Sequence, residues 1–169
     1  MNTPFPIHLK LSSSQSPSTE EEKVAMSQVP YSLVVESLMF AMVSTRPDIT
    51  QAVGAVSKYM ANPGCDHWKV VKWILRYLRG TSDFALCYGY ANLNCTGYVD
   101  SDFTEDLDKK RSTSGYVFSM AGGAISWKSK LQSIVALSTT EAEYIVVTHA
   151  CKEVIWLKRM LGEFKIKQD

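Results

Sequence analysis

Two carboxylates at the boundaries of predicted elements are the residues of this sequence best suited to metal chemistry. Asp100 ends a predicted strand at residues 97–100, and Glu141 lies in the first turn of a long predicted helix. A strand end and a helix start can converge on one point, and paired carboxylate oxygens there are ligands that Mg²⁺ prefers. We therefore take Asp100 and Glu141 as candidate catalytic and metal-binding residues.

The same carboxylates also have purely structural interpretations. The run Ser-Thr-Thr-Glu at residues 138–141 fits a capping box, in which Glu141 only satisfies a backbone N–H. Glu143 can play this part if Thr140 is the cap residue. The aspartates of this region also fit a solvated acidic loop: Asp100, Asp102, Asp106 and Asp108. The sequence leaves these alternatives open.

Four cations form a second candidate site. They lie three, four and three residues apart in a predicted helix, on one face: Lys69, Lys72, Arg76 and Arg79. Such a face is either a solvated surface or a ridge that follows a phosphate backbone and displaces its counterions. The net charge of the chain is only +1, so a basic surface for nucleic acid has to be local.

The elements that must position these residues divide the 169-residue chain into three parts. Residues 1–30 are rich in Ser, Pro and Glu toward their end and predict a linker or disordered arm. Residues 31–82 show helical periodicity, with a break and restart at Pro47, an end near Gly64 and a third helix capped by Asp66. Residues 83–169 change to a strand pattern.

Short apolar runs bounded by turn residues predict strands at 97–100, 115–120, 124–128 and 134–137, the last three as consecutive hairpins. A helix from about Thr140 to Glu163 follows, with a buried face at Ala142, Ile145, Val146, His149, Val154, Leu157 and Leu161. The predicted fold class is α/β (α+β), a helical segment followed by a three-stranded antiparallel meander and one long helix.

Composition and termini give expectations about location. The four cysteines form no Cys-x-x-Cys pair, so we expect reduced thiols. The first ten residues do not have the pattern of a signal peptide, and the apolar stretch 33–43 is shorter than a bilayer span. We expect an intracellular protein of the cytoplasm or nucleus, neither secreted nor in a membrane.

Two sets of residues resemble the Pol polyproteins of copia-type retrotransposons. The segments similar to the opening of their ribonuclease H domain are residues 97–102, 111–118, 122–130 and 135–144. The segments that resemble the helical region after their reverse transcriptase palm are residues 37–41, 45–49, 67–68 and 73–81. The resemblance extends over nearly the whole chain after Ser27.

The resemblance implies roles for particular residues. The first metal-binding aspartate of the family falls on Asp100, and its helix glutamate falls on Glu141 rather than Glu143. In the intact domain these groups, with two further aspartates, hold two Mg²⁺ ions. The Asp-Asn-x-Ser-Ala segment that carries the third aspartate has no counterpart here. We therefore expect an incomplete ribonuclease H-like domain that binds Mg²⁺ weakly or not at all.

The resulting hypothesis is a polyprotein fragment whose intact domain hydrolyses the RNA strand of RNA–DNA hybrids. This chain alone is expected to be inactive. One alternative is a non-catalytic nucleic-acid-binding module that uses the four helix cations and residues 109–111; another is a degenerate remnant without activity. Because the strand that would flank Asp100 is missing, we also expect self-association through an exposed strand edge.

Overall fold

A computed structural model of the protein describes residues 3–6, 9–89, 93–104 and 106–168. The chain divides into two units, Met1–Ala85 and Leu86–Asp169. The first unit is helical and the second contains a sheet and one helix, so we refer to them as the helical unit and the sheet unit. The sequence placed the corresponding boundary between residues 82 and 83.

The first 30 residues contain ordered elements, which differs from the predicted linker or disordered arm. A 3-10 helix spans Ser13–Gln15 and helix α1 spans Glu20–Ser27. A capping box explains why α1 begins there, since Thr19 and Glu22 each accept a hydrogen bond from the backbone of the other. Leu11 is buried against the helical core. Polar residues in this segment thus cap helices while they remain exposed.

Three further helices build the core of the helical unit: α2 at Tyr31–Ser44, α3 at Thr50–Ser57 and α4 at Cys65–Gly80. The restart predicted at Pro47 is a 3-10 helix, Pro47–Ile49, that leads into α3. The cap residue of α4 is Gly64 rather than the predicted Asp66, because the extended backbone of Gly64 directs its N–H to the ring of His67. The buried core side chains are Leu11, Tyr31, Val35, Leu38, Ile49, Ala52, Val53, Val56, Tyr59, Val70, Val71, Ile74 and Tyr77.

Among the described residues, no single helix is long and apolar enough to cross a membrane. Helices α1 and α2 reach the required length and apolar content only as a pair, and that pair is bent by 52°.

The sheet unit contains three antiparallel strands in the order β1-β2-β3, at Thr96–Asp102, Thr113–Met120 and Gly123–Leu131. The register pairs Asp100 with Gly115, and a bulge lies between Phe118 and Ser119. The predicted mixed α/β class with a three-stranded meander is confirmed. The strands differ from the predicted ones. Residues 134–137 were predicted to form a strand but do not, and Leu137 is 88% exposed.

Helix α5 spans Thr139–Glu163, close to the prediction. Its buried side chains are Ala142, Val146, Ala150, Leu157 and Leu161. His149 and Val154 were predicted to be buried but are exposed. The buried stripe steps by four residues from Ala142 to Ala150, which leaves His149 beside it, and then by seven to Leu157, which leaves out Val154 and keeps to the 3.6-residue period. This stripe packs on one face of the sheet, where Phe118 joins Ala150 and Leu157 in a small core.

Candidate functional site

Side chains alternate between the two faces of strand β1. Ser101 Oγ donates a hydrogen bond to Glu143 Oε1 of α5 at 3.1 Å. A Cβ atom on Gly97 would lie 2.4 Å from the ring of Phe118, which packs against α5. Odd-numbered positions of β1 therefore face the helix. Because successive side chains of a strand point to opposite faces, Asp100 points to the other face of the sheet.

Asp100 is exposed on this open face. Asp102 lies two residues further along the same strand and is exposed as well. The alternation of the strand therefore groups Asp100 with Asp102, on the face that does not carry α5.

Glu141 serves the start of its own helix. Leu137 N donates to Glu141 Oε2 at 2.7 Å, and Glu141 N donates to Ser138 Oγ at 3.1 Å. The first N–H groups of a helix have no partner within the helix, so a nearby carboxylate is drawn to the backbone there. Glu141 therefore accepts a backbone hydrogen bond at the start of its helix, as the capping-box alternative predicted, and the donor is Leu137 N.

Glu143 is the carboxylate of α5 that reaches strand β1, and the sequence reasoning set it aside in favour of Glu141. Its contact with Ser101 places it over the last residues of the strand. The available signal was its position beside the buried stripe, directly after Ala142 and three residues before Val146. A side chain that flanks the packed face of a helix reaches the sheet more easily than one at the cap.

Gln132 fixes the start of α5 to the sheet. Its side chain is buried, and Nε2 donates to Ser114 Oγ at 2.9 Å and to the backbone oxygen of Ala142 at 3.0 Å. Ser114 pairs with Ser101 across β1 and β2. The amide of Gln132 thus positions the first turn of α5 relative to the strand that carries Asp100.

The acidic loop after β1 is only partly solvated. Asp106 is buried and accepts a hydrogen bond from Lys109 N at 2.8 Å. The backbone N–H of Thr104 donates to Ser112 Oγ at 3.3 Å. Asp106 therefore stabilises the loop, whereas Asp108 is exposed.

The four predicted cations of α4 are all exposed, on the side opposite the core residues of the helix: Lys69, Lys72, Arg76 and Arg79. Lys69 Nζ pairs with Asp66 Oδ1 at 2.7 Å, and this hydrogen bond raises the pKa of Lys69. The Arg76 guanidinium lies 6.0 Å from the ring centroid of Trp73. The helix thus presents a row of cations, one of which already has an acidic partner. We call these four residues the α4 cation row.

Few side chains that could bind a metal ion lie together in the described part of the chain. Within the described ranges, no group of three or more His, Cys, Asp or Glu side chains is arranged to hold a metal ion. The described residues therefore do not fit the two-Mg²⁺ site that the family resemblance implies.

The architecture is that of a two-unit α and α/β protein. The helical unit has a cationic helix face, and the mixed α/β unit has a short antiparallel meander packed under one long helix. The chain is 56% identical over 168 residues to the retrovirus-related Pol polyprotein from transposon TNT 1-94 of Nicotiana tabacum, which covers 99% of this chain and 13% of that protein. It is 40% identical over 138 residues to the Pol polyprotein from transposon RE2 of Arabidopsis thaliana, across 81% of this chain and 9% of that protein.

A relative of similar size is the secreted RxLR effector protein 161 of Plasmopara viticola, 44% identical over 133 residues, which cover 78% of this chain and 94% of that protein. No protein-family model matches the chain, and no solved structure matches it either. The similarity to the two Pol polyproteins supports a fragment of a retrotransposon Pol polyprotein. The chain corresponds to a segment of these polyproteins, 13% of the length in the tobacco relative.

Proposed function

We propose that this chain is the part of a copia-type retrotransposon Pol polyprotein that links the end of the reverse transcriptase to the start of the ribonuclease H domain. The intact domain would hydrolyse the RNA strand of RNA–DNA hybrids. The observation that carries the proposal is the contact between Ser101 on β1 and Glu143 on α5, which brings the start of the helix over the strand that bears Asp100.

The described residues do not fit a Mg²⁺ site. The contribution of this chain is positional. Gln132 holds the first turn of α5 on the sheet, and Ser101 holds the Glu143 carboxylate beside the strand. In this proposal Asp100 is the first acidic group of the intact site. Glu141 is the helix carboxylate that the family resemblance implies, and here it caps its own helix. Glu143 is the alternative, although its contact with Ser101 lies on the face of β1 opposite to Asp100.

The test is cleavage of a labelled RNA–DNA hybrid by the 169-residue chain and by the full-length polyprotein, in the presence of Mg²⁺. We expect no measurable cleavage by the 169-residue chain, because its described carboxylates do not gather into a metal site. We expect cleavage by the polyprotein, abolished by Asp100→Asn. Metal-dependent cleavage by the short chain, lost in Asp100→Asn, would contradict this assignment.

Glu141→Gln and Glu143→Gln form a matched pair within the polyprotein. If Glu143 is the helix carboxylate, Glu143→Gln abolishes cleavage and Glu141→Gln mainly lowers the stability of α5. The loss of one N-terminal cap contact costs about 0.5–2 kcal/mol. If Glu141→Gln abolishes cleavage and Glu143→Gln does not, Glu141 is the helix carboxylate, as the family resemblance implies.

A second candidate function is nucleic-acid binding by the α4 cation row. The exposure of all four side chains on one helix face supports it. With a rise of 1.5 Å per residue, the row extends along about 15 Å, enough to follow several phosphates of one strand. Hybrid binding without cleavage would favour this function, and failure to fold or bind would favour a remnant without activity.

The salt dependence of hybrid binding tests the row. The double variant Lys72→Gln/Arg79→Gln should flatten the slope of log affinity against log salt by roughly 1–2, because each phosphate contact contributes about 0.9. The control Lys23→Gln/Lys58→Gln removes the same charge from other exposed positions of the helical unit and should leave the slope unchanged. Equal slopes in both variants would mean that the row is only a solvated face.

We also propose an intracellular location, in the cytoplasm or nucleus, since reverse transcription of a transposon takes place inside the cell. Fractionation of cells that express the chain would test it. Recovery of the chain from the medium would instead align it with the secreted Plasmopara viticola relative.

A further inference from the structure

His67 is a fully buried titratable side chain that the proposed functions do not use. Gly64 N donates a hydrogen bond to His67 Nδ1 at 2.8 Å. Because a backbone N–H can only donate, Nδ1 has to be the unprotonated acceptor nitrogen. The proton of the neutral ring is therefore on Nε2, which lies 3.1 Å from the backbone oxygen of Ser12 and donates to it.

The segment that receives this hydrogen bond is the N-terminal strap, residues 9–16. The strap is attached to the helical unit through its buried Leu11 and through Ser16 Oγ, which donates to the backbone oxygen of Asn62 at 2.8 Å. Gly64 has no room for a side chain, since a Cβ atom there would lie 1.8 Å from the backbone oxygen of Gln15. The strap thus lies directly on the start of α4, where His67 joins the two.

The described groups around the ring are one aromatic side chain and the titratable residues of the neighbouring segments. Tyr59 stacks on the imidazole with a centroid distance of 3.9 Å and an interplanar angle of 8°. Cys65 and Asp66 are the other titratable groups at the start of α4, and Asp66 is already paired with Lys69. The titratable groups of the adjoining segments are Lys10 of the strap and Lys58 at the end of α3, both exposed, and Glu20, Glu21, Glu22 and Lys23 of α1.

We propose that His67 is a pH-dependent latch, which holds the strap on α4 when the ring is neutral and releases it when the ring takes up a proton. An imidazolium has an N–H on both nitrogens. Its Nδ1–H would face the N–H of Gly64, so this hydrogen bond would be replaced by two opposed donors in a buried site. The released state has no such conflict.

Proton linkage fixes the direction and the steepness of the response. The latched state binds one proton fewer than the released state in acid, so the fraction of released strap rises as pH falls. The response begins near the ordinary range of a solvated imidazole, about pH 6.5, and reaches about tenfold per pH unit below it. The strap is therefore held at neutral pH and freed in mild acid.

NMR on the full chain between pH 7.5 and 5 provides the test. At pH 7.5 the ring ¹⁵N shifts of His67 should show an unprotonated Nδ1 and a protonated Nε2. The amide protection factors of Gly64 and Gln15, taken relative to intrinsic exchange at each pH, should fall with the same midpoint as the ring titration. Protection factors that do not change while the ring becomes protonated would overturn the proposal.

The variant His67→Gln tests the latch independently. Its amide can accept a hydrogen bond from Gly64 N and donate one to the backbone oxygen of Ser12, but it takes up no proton in this pH range. It should keep the strap in place at all pH values tested. The control is His149→Gln on α5, which should keep the wild-type response. A pH response that persists in His67→Gln would also overturn the latch, and if this variant does not fold, the wild-type ring titration still decides.

Discussion

The helical unit and the sheet unit bury their apolar side chains to very different degrees. The main buried cluster of the helical unit contains thirteen residues, from α2, α3, α4, the 3-10 helix at Pro47–Ile49, the turn after α3 and the strap. The corresponding cluster of the sheet unit contains three, Phe118, Ala150 and Leu157. Large side chains of α5 such as Tyr144, Ile155 and Trp156 remain more than half exposed.

This difference follows from the number of layers in each unit. Helices α2, α3 and α4 surround a shared interior, so their apolar stripes meet. In the sheet unit one helix covers one face of three strands, and a two-layer arrangement of this size encloses few residues. The sheet unit therefore carries its candidate carboxylates on a scaffold with a small buried core.

The largest expected effect comes from cavities in the two cores. Ile74→Ala should destabilise the helical unit by about 2–5 kcal/mol, because Ile74 is fully buried in the large cluster. Leu157→Ala should destabilise the sheet unit toward the lower end of that range, since fewer buried neighbours lose contacts.

Urea unfolding followed by NMR peaks assigned to each unit measures the two effects separately. We expect each variant to shift mainly the transition of its own unit. Equal shifts of both transitions in both variants would mean that the two units unfold as one, and the two cores would then not differ in stability.

The next effect concerns the link between α5 and the sheet. Gln132→Ala removes two buried hydrogen bonds, to Ser114 and to Ala142, and should destabilise the sheet unit by about 1–3 kcal/mol. Ser133→Ala changes the exposed neighbour and should have little effect. If both substitutions cost the same, Gln132 does not position the helix.

The elements of the fold could largely be read from the sequence, because they depend on local patterns. Helix α5 was predicted almost to the residue from its apolar spacing and the polar run before it. The prediction failed at residues 134–137, a short apolar run with the composition of a strand. Such a run becomes a strand only if a neighbouring strand is available to pair with it, and periodicity carries no information on that.

The site was harder to predict, because a side chain chooses among partners that only the fold brings near. Glu141 and Glu143 lie two residues apart in the same helical turn, yet one binds the backbone before the helix and the other binds Ser101. The face of β1 that carries Asp100 depends on the parity of its register with β2, and a shift of one residue would reverse it.

A smaller expected effect is a loss of stability of the helical unit in acid. Burial alone would raise the pKa of Asp48, but hydrogen bonds from Arg46 and Tyr77 and the Arg46 charge outweigh it, and the pKa lies below its ordinary value. A lowered pKa means that the stabilisation is complete above the unfolded value of about 3.9 and is lost as pH falls through the folded value. The helical unit should therefore lose stability below about pH 4, and less so in Asp48→Asn.

Thermal unfolding at pH 7 and pH 3 measures this loss. Tyr77→Phe removes the hydrogen bond to Asp48 Oδ2, 2.8 Å long, and should weaken the pH dependence in part. The acid window of Asp48 lies well below that of the His67 latch, so the two are separable in one titration. A wild-type pH profile that is unchanged in Asp48→Asn would show that this network does not contribute.

The smallest expected effect concerns the outer edge of β1, one of the two edge strands of the sheet. In the described part of the chain β1 pairs only with β2, so its other edge is open to pairing with a second copy. Tyr98 and Val99 of this strand are exposed by 63% and 41%, which adds apolar surface to the unpaired backbone. We expect weak, concentration-dependent self-association in sedimentation experiments.

Tyr98→Lys places a charge on this edge strand and should weaken the association by up to about fivefold, since one cross-strand pair contributes roughly 0.2–1 kcal/mol. Tyr144→Lys makes the same chemical change on the exposed face of α5, away from the edge, and is the matched control. If Tyr144→Lys weakens the association as much or more, the contact forms through the helix rather than through β1. A wild-type chain that stays monomeric at all concentrations would refute the edge argument, because an accessible edge with exposed apolar side chains should pair at some concentration.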